Sequence, residues 1–147
     1  MPKEIIPNLW IGDKTDMIDM VLIDRCGIEC IINCTPHCPF PETGRTENIR
    51  IPIDNVPYEE NVSQHRALLN ALPDITANIH RYIMRQQGVL ICCKRGDSRS
   101  SVIAAAFLIR YGQLSVRDAV GALYMRDKDI NVTNFGKVLK HWALNHP

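Results

Sequence analysis

Val89-Leu90-Ile91-Cys92-Cys93-Lys94-Arg95-Gly96-Asp97-Ser98-Arg99-Ser100 joins three kinds of sequence in one short stretch. Val89 to Cys92 is an unbroken apolar run, the pattern of a strand buried on both faces. Ser100 to Arg110 reads as one helix, ended near Gly112. Between them lies a tight loop in which Gly96 lets the backbone turn without a Cβ clash. In a strand–loop–helix unit of this kind the loop's backbone N–H groups point inward at the helix N-terminus, where the helix dipole assists anion binding. Arg99 offers a planar fork matched to two phosphate oxygens, and the same positive surroundings suit a reactive Cys93 thiolate. A nucleophile, an anion cradle and a bidentate cation within the eight residues Cys93 to Ser100 describe phosphoryl transfer through a cysteinyl intermediate.

Upstream, Glu4-Ile5-Ile6 and Leu9-Trp10-Ile11 read as short strands around Pro7-Asn8. Asp13 or Thr15 can cap a helix running to about Arg25, with Met17, Met20, Val21 and Ile23 as its apolar positions and Gly27 as its left-handed terminus. A strand over Cys30–Cys34, a loop over Thr35–Glu47 and an alternating strand over Ile49–Ile53 follow. The polar stretch Asp54–Gln64 leads into helical sequence that Pro73 interrupts. Pro73 fits the first turn of a new helix reaching about Gln86 and closed by Gly88. Downstream of Gly112, Ser115 with Asp118 resembles a capping box opening a helix to about Arg126. Thr133 can cap a last helix carrying Val138, Leu139, Trp142 and Leu144. Strands alternating with helices, then helices alone, predict an α/β fold with a small central mixed sheet flanked by helices, a single domain over residues 1–147.

Composition narrows the function classes. A net charge of +1 argues against a nucleic-acid binder, whose affinity rests on a basic excess. The longest wholly apolar run, Val102–Ile109, is far short of a bilayer span, and the N-terminus lacks a charged-then-apolar signal pattern. The expectation is a soluble cytoplasmic protein, with the nucleus as a second compartment, that needs no membrane and no nucleic acid. The six cysteines fall into a regular quartet, Cys26, Cys30, Cys34 and Cys38, and the adjacent pair Cys92 and Cys93. Without an export signal, and at a size that needs no bridges, they read as thiols rather than a disulfide framework. His37 beside Cys38 is the one feature that adds to a metal reading; the quartet reads as core and loop chemistry, with no metal.

The segment Cys92–Ser100 resembles the His-Cys-x-x-Gly-x-x-Arg-Ser loop of the cysteine-based protein phosphatases, in their dual-specificity branch. Pro7–Gly12 resembles that family's N-terminal strand and turn, and Gly27–Thr35 its next strand. Leu72–Cys93 and the helix after Arg99 fit as well, so the resemblance covers most of the chain. It implies a compact phosphatase fold, no cofactor, and a phosphorylated protein as substrate. It implies that Cys93 is the nucleophile and that Arg99 binds the phosphoryl group. Ser100 would hydrogen-bond the sulfur and help it leave. The backbone of Lys94, Arg95, Gly96, Asp97, Ser98 and Arg99 would cradle the oxygens. The general acid of the family follows the preceding strand, which here gives Asp54, with Glu59 or Glu60 as alternatives.

The chain departs from the pattern in three places. Cys92 stands where the family has histidine, removing a group that orders the loop, and a vicinal Cys92–Cys93 disulfide becomes conceivable under oxidation. The pattern Ile-x-Pro-Asn-x-x-Phe survives loosely as Ile130–Phe135, in which Asn134 either supports the phosphate loop or opens the last helix. Lys94 and Arg95 add positive charge that either favours polyanionic substrates or is solvated at the rim. At 147 residues the chain lacks room for additions that deepen the pocket, which predicts access for phosphoserine and phosphothreonine as well as phosphotyrosine. Two alternatives stand beside this reading. One is the same fold acting on RNA 5′-phosphates or phosphoinositides, and the other is a phospho-binding pseudophosphatase.

Overall fold

Gly88–Cys92 (β5) is the middle strand of a five-stranded sheet in the computed structural model, which describes residues 1–146. Lys3–Ile6 (β1), Leu9–Gly12 (β2), Ile28–Asn33 (β3) and Glu47–Arg50 (β4) complete it in the order β1-β2-β5-β3-β4. The pairing of β1 with β2 is antiparallel and the other three are parallel, so the sheet is mixed, as expected. All five residues of β5 are buried, the signature that its apolar run carried.

Alternation along β5 divides the core in two. Val89, Ile91 and, just past the strand, Cys93 join the larger cluster, with Leu68, Leu72, Ile79, Val102, Phe107, Leu139 and Trp142. Leu90 and Cys92 join the smaller one, with Met17, Ile23, Ile28 and Ile31. Successive side chains of a strand leave opposite faces, so the two adjacent cysteines are sent to opposite sides of the sheet.

The larger face is covered by Val62–Met84 (α3), Arg99–Tyr111 (α4), Val116–Arg126 (α5) and Gly136–Leu144 (α6); Lys14–Met17 (α1) and Met20–Arg25 (α2) lie on the smaller one. Gly27 follows α2 with φ +65°, as expected for a left-handed terminus.

The expected helix from Asp13 to Arg25 is two helices. Asp13 caps the first, in a reciprocal box with Asp16, and Asp19 caps the second by accepting the Leu22 N–H. A second Asp able to bond the backbone two or three residues on restarts the chain there. Met17 and Ile23 are buried, whereas Met20 and Val21 face outward. The strand expected over Ile49–Ile53 ends at Arg50, although Ile51 and Ile53 still donate their N–H groups to Asn33 and Cys34 of the neighbouring chain segment. The Ser115 cap is present, its hydroxyl accepting the Asp118 N–H. Thr133 caps no helix: its hydroxyl goes to Asn131, a 3-10 turn covers Thr133–Phe135, and α6 starts at Gly136. Leu144 is exposed rather than part of the core.

Pro73 does not open a helix either; it lies inside α3, which runs unbroken through it. Leu68, Leu72, Ile75, Thr76 and Ile79 are buried at helical spacing on both sides of it, so one continuous apolar stripe holds the helix together. Arg110 on α4 reinforces the segment, donating from Nη1 to the Pro73 carbonyl (2.8 Å) and to Thr76 Oγ1 (3.0 Å). Proline still lacks the N–H that would meet the Leu69 carbonyl. Pro73→Ala is therefore expected to raise stability by about 1–3 kcal/mol, read as a higher midpoint in urea and thermal unfolding. An unchanged or lowered midpoint would mean that the helix does not run through this position.

Candidate active site

The loop between β5 and α4 brings Cys93, Gly96, Arg99 and Ser100 together at the carboxyl end of the central strand, where open α/β sheets place ligands. Gly96 has φ +76°, and a Cβ there would stand 2.9 Å from the backbone of Gly12, so the sharp turn and the close approach to β2 both require glycine. The turn aims the Gly96 N–H at Cys93 Sγ (3.1 Å), while the Ser100 hydroxyl lies 3.3 Å from the same sulfur. Cys93 is buried, and its own N–H is bound to the Gly12 carbonyl.

Among the described residues, the backbone N–H groups of Lys94, Arg95, Asp97, Ser98 and Arg99 donate to no other residue. Ser98 precedes α4 in the position where a serine ordinarily caps the helix, yet it makes no capping bond. Its hydroxyl donates instead to Asn55 Oδ1 (2.9 Å). The first turn of α4 thus keeps its N–H groups and the positive end of its dipole directed at the loop interior. This is an arrangement for a multiply charged oxyanion next to a sulfur. Of the residues expected to cradle it, Gly96 spends its N–H on the sulfur and Ser98 spends its hydroxyl on Asn55. Lys94 and Arg95 extend into solvent, and Asp97 is half-buried, its carbonyl accepting the Asn131 N–H.

A second segment is fastened to this loop. Arg99 Nη1 donates to the Ile53 carbonyl (2.9 Å), and Ser98 bonds the side chain of Asn55. Asp54 lies between the two anchored residues, exposed, with Asn61 donating to its carboxylate (3.5 Å) and its own N–H held by Gln64 Oε1 (2.5 Å). Glu59 is engaged elsewhere: Lys137 hydrogen-bonds it and holds its carboxyl below the ordinary range. Asn134 donates from Nδ2 to Asn55 Oδ1 (3.0 Å) and to the Asn55 carbonyl (3.3 Å). Of its two expected roles, Asn134 therefore takes the one supporting the phosphate loop, through Asn55. Asn55 itself is the residue that sequence reasoning missed. Its only sequence signal is its place directly after Asp54.

The remaining cysteines have separate environments. Burial, reinforced by neighbouring groups, pushes the Cys34 and Cys92 thiols well above their ordinary range. Cys34 lies under the site, its N–H bound to the Cys92 carbonyl and its carbonyl to the Ile53 N–H. Burial raises Cys30 to about 12 and also raises Cys26. All six are free thiols, including the adjacent pair. No cluster of three or more His, Cys, Asp or Glu side chains among the described residues is arranged to hold a metal, and no helix among them is long and apolar enough to cross a membrane.

Residues 9–144 match the family model described as "Dual specificity phosphatase, catalytic domain". Human "Dual specificity protein phosphatase 6" is 30% identical over 132 residues, covering 88% of this chain and 33% of that protein. The Drosophila melanogaster "Dual specificity protein phosphatase Mpk3" is 30% identical over 133 residues, covering 88% of this chain and 31% of that protein. The chain thus spans about a third of the length of these relatives. The crystal structure of human DUSP28 superposes with a TM-score of 0.87 at 21% identity, over 98% of this chain and 93% of that one, and so shares the fold. Because the family match runs from β2 through the Cys93 loop to the end of α6, this chain belongs to the dual specificity phosphatases, as a catalytic domain of that family.

Proposed function

We propose that the chain hydrolyses phosphotyrosine and phosphoserine/phosphothreonine in proteins through a cysteinyl-phosphate intermediate. The observation that carries this reading is the Cys93 sulfur, set within hydrogen-bond reach of Gly96 N–H and Ser100 Oγ, beside five backbone N–H groups of the loop and the first residue of α4 that have no partner among the described residues. In the first step Cys93 Sγ attacks phosphorus, the S–P bond forms and the P–O bond to the substrate breaks. Asp54 donates its proton to the departing oxygen. Water then attacks the same phosphorus, Asp54 takes its proton, and the S–P bond breaks. The Ser100 hydroxyl donates to the sulfur as it leaves. Arg99 and the loop N–H groups meet the equatorial oxygens, whose charge persists through both steps.

The location of Asp54 supports its role over Glu59. The residues on either side of it are tied to Arg99 and Ser98, whereas Glu59 is paired with Lys137. The exposed pair Lys94 and Arg95 supports a second reading in which a polyanion, an RNA 5′-phosphate or a phosphoinositide, is the substrate. Comparing kcat/KM for a phosphopeptide, triphosphorylated RNA and a phosphoinositide decides between them. Preference for the phosphopeptide is expected.

Hydrolysis of an aryl phosphate tests the chemistry. Cys93→Ser is expected to abolish turnover and Cys92→Ser to leave it within a few-fold, because Cys92 packs in the smaller core on the other side of the sheet. An inactive Cys92→Ser with an active Cys93→Ser would overturn the assignment. Asp54→Asn is expected to lower kcat by about 10²-fold or more. That loss should shrink as the leaving phenol becomes more acidic, since a good leaving group needs less protonation. A loss independent of the leaving group would remove Asp54 from the acid role.

Asn55→Ala tests the support of the loop. It removes the acceptor shared by Ser98 and Asn134, and frees the Ser98 hydroxyl to compete for the α4 terminus. A fall in kcat/KM of about tenfold is expected, the equivalent of one or two hydrogen bonds of about 1 kcal/mol each. Unchanged kinetics would show that the loop holds its shape without Asn55.

A further inference from the structure

Away from the phosphate loop, the first turns of α3 and the outer side of α6 form an open groove of about 580 Å³ that the proposed chemistry does not use. Its apolar lining includes Leu69, Val138 and Leu144, the last 78% exposed. Its charged lining is of one sign: Arg66, Lys137 and Lys140 contribute, and no Asp or Glu does. Lys137 is engaged, bonded to Glu59 and set over the Tyr58 ring. Arg66 and Lys140 are exposed and form no ion pair among the described residues.

His65, buried to 1% exposure, also lines the groove. It stacks on Phe135, and its Nε2–H must be the donor toward the Val56 carbonyl (2.9 Å), because a carbonyl only accepts. In the neutral ring this leaves Nδ1 as an acceptor, and Nδ1 has no partner among the described residues. Stacking on Phe135 and the bond to Val56 hold His65 in place as a fixed wall of the groove.

The groove adjoins a second depression on the side toward Asn134. Tyr58, Lys137 and Lys140 line a neighbouring depression that includes Asn134, and Asn134 bonds Asn55, which holds Ser98 of the phosphate loop. We propose that this groove docks an acidic peptide segment of the phosphoprotein substrate, its large apolar side chains on Leu69, Val138 and Leu144 and its carboxylates on Arg66 and Lys140. The proposal rests on the protein-phosphatase reading above. A concave groove with exposed cations at its edge suits an inserted acidic chain better than a flat anionic bilayer, whose headgroups would meet only the rim.

The test uses a fluorescein-labelled, unphosphorylated peptide of alternating glutamate and leucine, read by fluorescence anisotropy against the whole chain. Replacing its glutamates with lysine, or its leucines with serine, is expected to remove binding. Reversing two exposed charges, Arg66→Glu with Lys140→Glu, is expected to weaken binding at least about fivefold, and added salt to weaken the wild-type complex. Leu144→Ser, at an exposed position where the fold is not at risk, is expected to weaken it as well. With a phosphopeptide carrying the same segment, the charge-reversal variant should raise KM by the same factor at unchanged kcat, while aryl phosphate turnover stays at the wild-type value.

Binding that is absent in the wild type, or equal in the wild type and the charge-reversal variant, overturns the docking site. So does charge-dependent binding to phosphatidylserine vesicles without binding to the peptide. If the wild type binds the unphosphorylated peptide in this charge-dependent way but fails to hydrolyse aryl phosphate, the groove stands and the phosphatase reading falls.

Discussion

The hydroxyl of Ser98 is turned away from the helix it precedes, and the anion site proposed for the loop depends on that diversion. A serine at this position ordinarily accepts an N–H from the first helical turn, a bond worth about 1 kcal/mol. Here it donates to Asn55 and leaves that turn's N–H groups directed into the loop. The helix tolerates the omission because it is held from outside. Every residue of α4 from Ser100 to Ile109 is buried, and the Trp142 indole N–H donates to the Ala106 carbonyl across the α4–α6 contact. Burial of this apolar length contributes several times the energy of one cap. The packing of the helix and the exposure of its N-terminus to an anion are thus two parts of one arrangement.

Strand alternation supplies the second constraint. β5 sends Cys92 toward Met17, Ile31 and Leu90, and delivers Cys93 to the site. In that small apolar pocket, burial keeps the Cys92 thiol protonated, and a neutral thiol behaves there as a small hydrophobe. An imidazole in the same place would need a partner for each nitrogen. Asp13 and Asp16 carry the nearby carboxylates, but Asp13 already accepts from Thr15 and Asp16, while Asp16 accepts from the Asp13 N–H.

The sequence made legible those parts of the structure that depend on neighbours along the chain. The apolar run of β5, the glycine of the loop and the helix after Arg99 are local patterns, and all three hold. Pro73 misled because its local meaning, a helix start, is overridden by a buried stripe running through it and by Arg110 from another helix. The Asp13–Arg25 segment misled for the opposite reason: Asp19 offered a local cap in the middle of an apolar pattern, and the cap won. Asn55 was invisible because its partners, Ser98 and Asn134, lie 43 and 79 residues away and meet it only in the folded chain.

The same long-range bonds bear on Asp54, whose carboxylate has few contacts of its own. Ile53 is bound through its carbonyl to Arg99, and Asn55 through its side chain to Ser98. The segment that carries Asp54 is thereby bound to the same loop on both sides of it. The exposure of Asp54 fits the role proposed for it, exchanging a proton with a leaving oxygen and afterwards with water, which a carboxylate fully engaged in the core could not fill. Asn134 completes the arrangement from the 3-10 turn that precedes α6, so that the central loop, the segment after β4 and this turn converge on a single asparagine. The groove between α3 and α6 shares Tyr58, Lys137 and Lys140 with the depression that contains Asn134, so a peptide in the proposed groove would lie next to the turn that braces the loop.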